Sequence, residues 1–138
     1  MAGLRKGLSR LRTVELVLTD GIDREWGRLS ARVLRGWRER ARGLLGTWRH
    51  GAGAVPVLLP RCSSVHTFGM RYAIDVLMVD GAGLVVASWR ALSPGRVVWA
   101  RGARHTLERP SSGGPWPRRG DRLVMAGDVN GFGRKGGM

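Results

Sequence analysis

The stretch SSVHTFGMRYAIDVLMVDGAGLVVASW, residues 63–89, decides the fold class. Ile74, Val76 and Met78 alternate with Asp75, Leu77 and Val79, the period of two that belongs to a pleated strand. Asp80-Gly81-Ala82-Gly83 then supplies residues that tolerate positive φ, and Leu84-Val85-Val86 resumes the β pattern, so the pair reads as a hairpin. Further short β-prone runs follow the same style at 14–18, 55–59, 97–100, 105–107 and 121–125, separated by glycine, proline and serine clusters. That succession predicts a mainly β domain, sandwich- or barrel-like, rather than a series of βαβ units. One helix is expected. Trp37, Ala41, Leu44, Leu45 and Trp48 fall at i, i+4, i+7, i+8 and i+11 of the 36–48 segment, with Arg38, Glu39, Arg40 and Arg42 opposite. Packed on the sheet, that helix would make the fold α+β.

The blocks RARGLLG at 40–46, SSVHTFGMRYAIDV at 63–76, LSPGR at 92–96 and GDRL at 120–123 resemble the DUF192 family, small and mostly β domains of bacteria and archaea without an assigned activity. The resemblance covers roughly residues 30–125 and implies a β core, with the 14–18 run an edge strand outside it. Two departures stand out. Ala73 replaces a proline usual before the Ile-Asp pair, and Glu108-Arg109-Pro110 replaces the usual Glu-Leu-Pro-Ala-Gly.

With 138 residues the chain has room for one domain, read here as 13–126, between a flexible basic arm at 1–12 and a flexible tail at 127–138. The formal charge is +14, and of the 24 basic residues 22 are arginine. These are scattered, without a run of five and without stacking aromatics interleaved along the sequence, so the charge is first a compositional feature and only second a nucleic-acid footprint. Non-specific polyanion binding is expected either way. Cys62 stands alone and can form no intrachain disulfide, which suits a reducing cytoplasm. No stretch approaches the ~20 apolar residues of a membrane helix.

Candidate chemistry concentrates in HTFGMRYAID. Cys62 and His66 lie about 13 Å apart if the segment is extended, too far for a thiolate and its base. His50, His66 and His105 form no metal-binding spacing, and no phosphate loop precedes a helix, so neither a metal nor a cofactor is expected. His66, Thr67, Phe68, Met70, Arg71 and Asp75 read instead as the lining of a cleft for a small polar or anionic ligand, or for a protein partner. Arg71 would anchor an anionic group, Phe68 would stack, and His66 and Thr67 would add hydrogen bonds. If Asp75 faces inward it must be paired, and Arg71 is its nearest basic neighbour in sequence. Two rivals remain. A hydrolase or sugar-modifying enzyme would use His66 as base and Asp75 as orienting carboxylate. A nucleic-acid or assembly factor would use an arginine face.

Overall fold

A computed structural model describes residues 4, 12–34, 43–45, 47, 51 and 55–126. Within them nine strands form: β1 (Thr13–Thr19), β2 (Glu25–Val33), β3 (Val57–Leu59), β4 (Ser64–His66), β5 (Ile74–Val79), β6 (Val85–Leu92), β7 (Val97–Trp99), β8 (His105–Pro110) and β9 (Arg122–Met125). Seven make one mixed sheet in the order β6-β5-β8-β3-β2-β1-β9, with β2 and β3 parallel and the other pairs antiparallel. The remaining two, β4 and β7, form a separate antiparallel ribbon.

The sheet curls until its edges touch at one end. Leu84 bridges Arg122, the Val85 amide donates to the Asp121 carbonyl at 2.8 Å, and the Leu123 amide donates to the Gly83 carbonyl at 2.8 Å. The ladder goes no further, so the sheet is not closed into a barrel. Its inner face gathers Leu16, Leu18, Val33, Leu58, Leu77, Val79, Leu107 and Leu123 into one core. The outer face of β3 and β5 presents Val57, Leu59, Ile74, Val76 and Met78 to a second core, closed by Val65, Met70, Tyr72 and Val98. Strand β5 is therefore buried on both sides over its whole length, which explains its nearly unbroken apolar run.

Two hairpins share one turn chemistry. Asp20 Oδ1 accepts the amides of Ile22 and Arg24 at 3.0 and 2.9 Å, and Asp80 Oδ1 accepts those of Ala82 and Leu84 at 2.9 Å each. The fourth residue is left-handed in both, Asp23 at φ 63° and Gly83 at φ 86°. The side-chain carboxylate thus supplies the acceptor that fixes each register.

Two expectations are corrected, and one strand is added. Strand β1 is not an edge: it lies between β2 and β9. Strand β2 shows no clear alternation in the sequence. Its inward positions Gly27, Leu29, Ala31 and Val33 are mostly small, and the outward Arg28 and Arg32 mute the alternation. Among the described residues of the 36–48 segment no helix is seen. Gly43, Leu44 and Leu45 form a turn, Gly43 sits at φ 51°, and a Cβ there would lie 2.9 Å from Glu108 Oε2; the rest of that segment falls outside the described residues. A left-handed glycine pressed on a buried carboxylate cannot continue a right-handed helix. The proposed arm and tail also lie outside them apart from Arg12 and Leu4, and Leu4 is buried in the first core.

Leu77 and Leu107 face each other across β5 and β8, both fully buried. Leu107→Ala is expected to cost about 2–5 kcal/mol, read as a lower urea midpoint at unchanged m-value.

Candidate functional site

Thr67 is the joint of the candidate loop. Its hydroxyl donates to the Ser93 carbonyl at 2.8 Å and accepts the Arg96 amide at 2.8 Å. Its own amide donates to the Arg96 carbonyl at 2.8 Å, and its carbonyl accepts the amides of Met70 and Gly95 at 3.1 Å. Fully buried, this one residue ties the 67–70 turn to the 93–96 turn. Thr67 therefore spends its hydrogen bonds on the chain itself, and its side chain does not line an open cleft.

Asp75 is fully buried as well and lies directly opposite Arg109 in the β5–β8 register. Its Oδ2 accepts Arg109 Nε at 2.8 Å and its Oδ1 accepts the Ala91 amide at 2.8 Å. Ala91 takes φ 51° where the β5–β6 register shifts, so the carboxylate holds a strained residue in a bulge. The Arg109 guanidinium lies 4.4 Å over the Trp116 ring and donates to the Gly114 carbonyl at 2.9 Å. The partner of Asp75 is thus Arg109 and not Arg71, and both of its oxygens are taken. His66 lies elsewhere, exposed on β4, its ring stacked at 5.8 Å on Phe68. The structure does not bring His66 and Asp75 together. Cys62 donates its thiol to the Ser64 carbonyl at 3.1 Å. No cluster of metal-ligating side chains occurs among the described residues.

The remaining candidates separate by exposure. Met70 is buried in the second core, whereas Phe68 and Arg71 lie on the surface. Pairing of β4 with β7 aligns Ser64 with Trp99, Val65 with Val98 and His66 with Val97. Val65 and Val98 point into the second core, so Ser64, His66, Val97 and Trp99 share the outer face. There Trp99 is 68% exposed, Phe68 53% and Val97 50%. Beside them an open groove of about 560 Å³ is lined by residues 88–93 and 96–98, with Trp89, Arg90 and Arg96 among them. In the sequence Arg96 falls in the LSPGR block and Val97 and Trp99 in a β-prone run, but only the β4–β7 pairing sets them beside the 63–76 motif.

Two buried titratable groups lie on β8. Burial pushes the Glu108 carboxyl up to about 7, against a smaller opposite pull from the Leu44 amide. Burial, helped by the charges of Arg104 and Arg61, holds His105 down to about 4. Its Nδ1 accepts the Arg61 amide at 3.1 Å.

Neither a family model nor any curated protein matches the chain. Two solved structures share its fold. A "putative transcription regulator" from Sinorhizobium meliloti 1021 matches with TM-score 0.67 and 19% identity, over 83% of this chain and 95% of that one. A protein of unknown function from Novosphingobium aromaticivorans DSM 12444 matches with TM-score 0.62 and 18% identity, over 89% of this chain and 91% of that one. Identities this low carry the fold and leave the activity to the site.

Asp75→Ala leaves Arg109 buried without its carboxylate and is expected to cost about 3–5 kcal/mol, whereas the exposed His66→Ala should stay within about 0.5 kcal/mol. Urea denaturation of both variants checks the contrast. The pH dependence of stability is equally specific. Between 4.5 and about 7 the folded chain keeps a proton on Glu108 that the unfolded chain has lost, so this contribution falls as pH rises. His105 acts oppositely: between 6.5 and about 4 the unfolded chain gains the proton first, so stability falls as pH falls. Over their shared window the two slopes oppose each other. Relative to the parent, Glu108→Gln should make stability rise more steeply from pH 4.5 to 6.5, and His105→Gln should make it fall. Urea midpoints at half-unit pH steps check this, and an unaltered profile in Glu108→Gln would contradict the assignment.

Proposed function

We propose that this chain is a DUF192-type binding domain that takes an anionic ligand in the groove between β6 and β7. The observation that carries the reading is the Thr67 joint. By fixing the 93–96 turn from both sides it sets Arg96 at the groove, across from Trp89 and Arg90. An arginine beside an indole suits a phosphate or carboxylate attached to a flat or apolar body. Arg90 lines the groove too, but its guanidinium turns to the Asp75–Arg109 side, where it donates to the Gly114 carbonyl at 2.6 Å.

This moves the ligand from the 66–75 loop to its neighbour: the loop builds the site, and the turn it clamps makes the contacts. Binding rather than catalysis fits the commitment of Thr67 and Asp75 to internal bonds. An enzyme using His66 and Asp75 would need the two side chains to meet. A cytoplasmic setting, in which Cys62 stays reduced, belongs to the same proposal; among the described residues no helix is long and apolar enough to cross a membrane.

Thermal-shift and tryptophan-fluorescence titrations with pyrophosphate, nucleoside monophosphates and citrate at 150 mM salt test the site. A ligand at a hundredfold excess over its Kd adds about 2.7 kcal/mol of stability, a shift that Arg96→Ala should abolish. A flat response to all three anions, or a shift that Arg96→Ala leaves intact, would contradict the proposal.

A further inference from the structure

We propose that the ligand is a single-stranded nucleic acid, its backbone in the β6–β7 groove and its bases stacked on the outer face of the β4–β7 ribbon; this rests on the anion-binding reading of the groove. The two surfaces are continuous, because Val97 lines the groove and also faces outward opposite His66. From the groove the ribbon runs through Val97 to His66, Phe68 and Trp99. Exposed aromatic side chains on a short β surface provide what unpaired bases need, since every base has a π face and stacking tolerates any sequence.

Charge favours this occupant over an apolar one. The segments that build the surface, 61–71 and 88–104, contain Arg61, Arg71, Arg90, Arg96, Arg101 and Arg104 and no aspartate or glutamate. The carboxylates gather elsewhere, four of the ten at Glu15, Asp20, Asp23 and Glu25 on the β1–β2 hairpin. The surface segments therefore carry positive charge with no carboxylate of their own, while arginine as such is scattered along the whole chain. Duplex would fit poorly: its bases are stacked on one another and offer Trp99 and Phe68 no free face.

The test is fluorescence anisotropy of the full chain at 150 mM salt, with a labelled 12-nucleotide poly-dT or poly-U strand, a blunt duplex of equal length and a poly-glutamate peptide. The single strands are expected to bind at least tenfold more tightly than the duplex. Trp99→Ala and Phe68→Ala, both on the surface, should each weaken single-strand binding about 5- to 100-fold with an unchanged melting temperature. Arg96→Ala should weaken it and reduce the salt dependence by about one counterion, and Arg24→Ala on the distant hairpin should do neither. Equal affinity for strand and duplex with no effect of Trp99→Ala would overturn the inference and leave only polyanion attraction. Poly-glutamate binding as tight as the strands would overturn it in favour of an acidic protein partner. If nucleoside monophosphates still bind in an Arg96-dependent manner while the strands show no dependence on Trp99, the inference falls and the groove reading stands.

Discussion

A carboxylate inside the sheet is the constraint on which the rest is built. Asp75 lies in a strand buried on both faces, and an unpaired charge there would cost far more than the domain's net stability allows. The fold answers with Arg109 across the ladder and with the Ala91 amide, delivered by a bulge at φ 51°. The consequences run outward. Arg109 and Arg90 both donate to the Gly114 carbonyl, so the buried pair shares an acceptor with an arginine of the surface groove. Among the described residues no buried side-chain polar atom lacks a partner, so the network closes on itself.

The second organising element is Thr67, which does for the ribbon what Asp75 does for the edge strand. Both are residues of the kind that often serve substrates, and both are consumed in positioning backbone. The surface itself presents arginine and aromatic side chains together with His66. The turn at 43–45 packs against the loop that holds Thr67, where Leu45 faces Gly69, Thr47 hydrogen-bonds Tyr72 through their hydroxyls and Gly43 rests on Glu108.

Local signals were legible in the sequence and non-local ones were not. Strand β5 and its turn at Asp80 could be read directly, because alternation and side-chain-to-amide bonding act within a few residues. The 36–48 periodicity was genuine as a pattern, but the left-handed Gly43 pressed against Glu108 on β8 overrides it in the described part, and no window around Gly43 contains that contact. Asp75 was expected to need a partner. Its identity depended on a strand 34 residues away, at one of the two positions where the DUF192 resemblance fails. The aromatic face escaped for the same reason: His66 and Trp99 become neighbours only once β4 and β7 pair.

The central claim is that the β4–β7 ribbon and its groove form one ligand surface, and amide NMR of the titrated protein tests it most directly. Addition of a short poly-dT strand at 150 mM salt is predicted to shift or broaden resonances of residues 64–71 and 88–101 together, and to leave the β1–β2 hairpin unmoved. Perturbations spread over Arg24, Arg28, Arg32 and the other exposed arginines, with Trp99 unaffected, would contradict it.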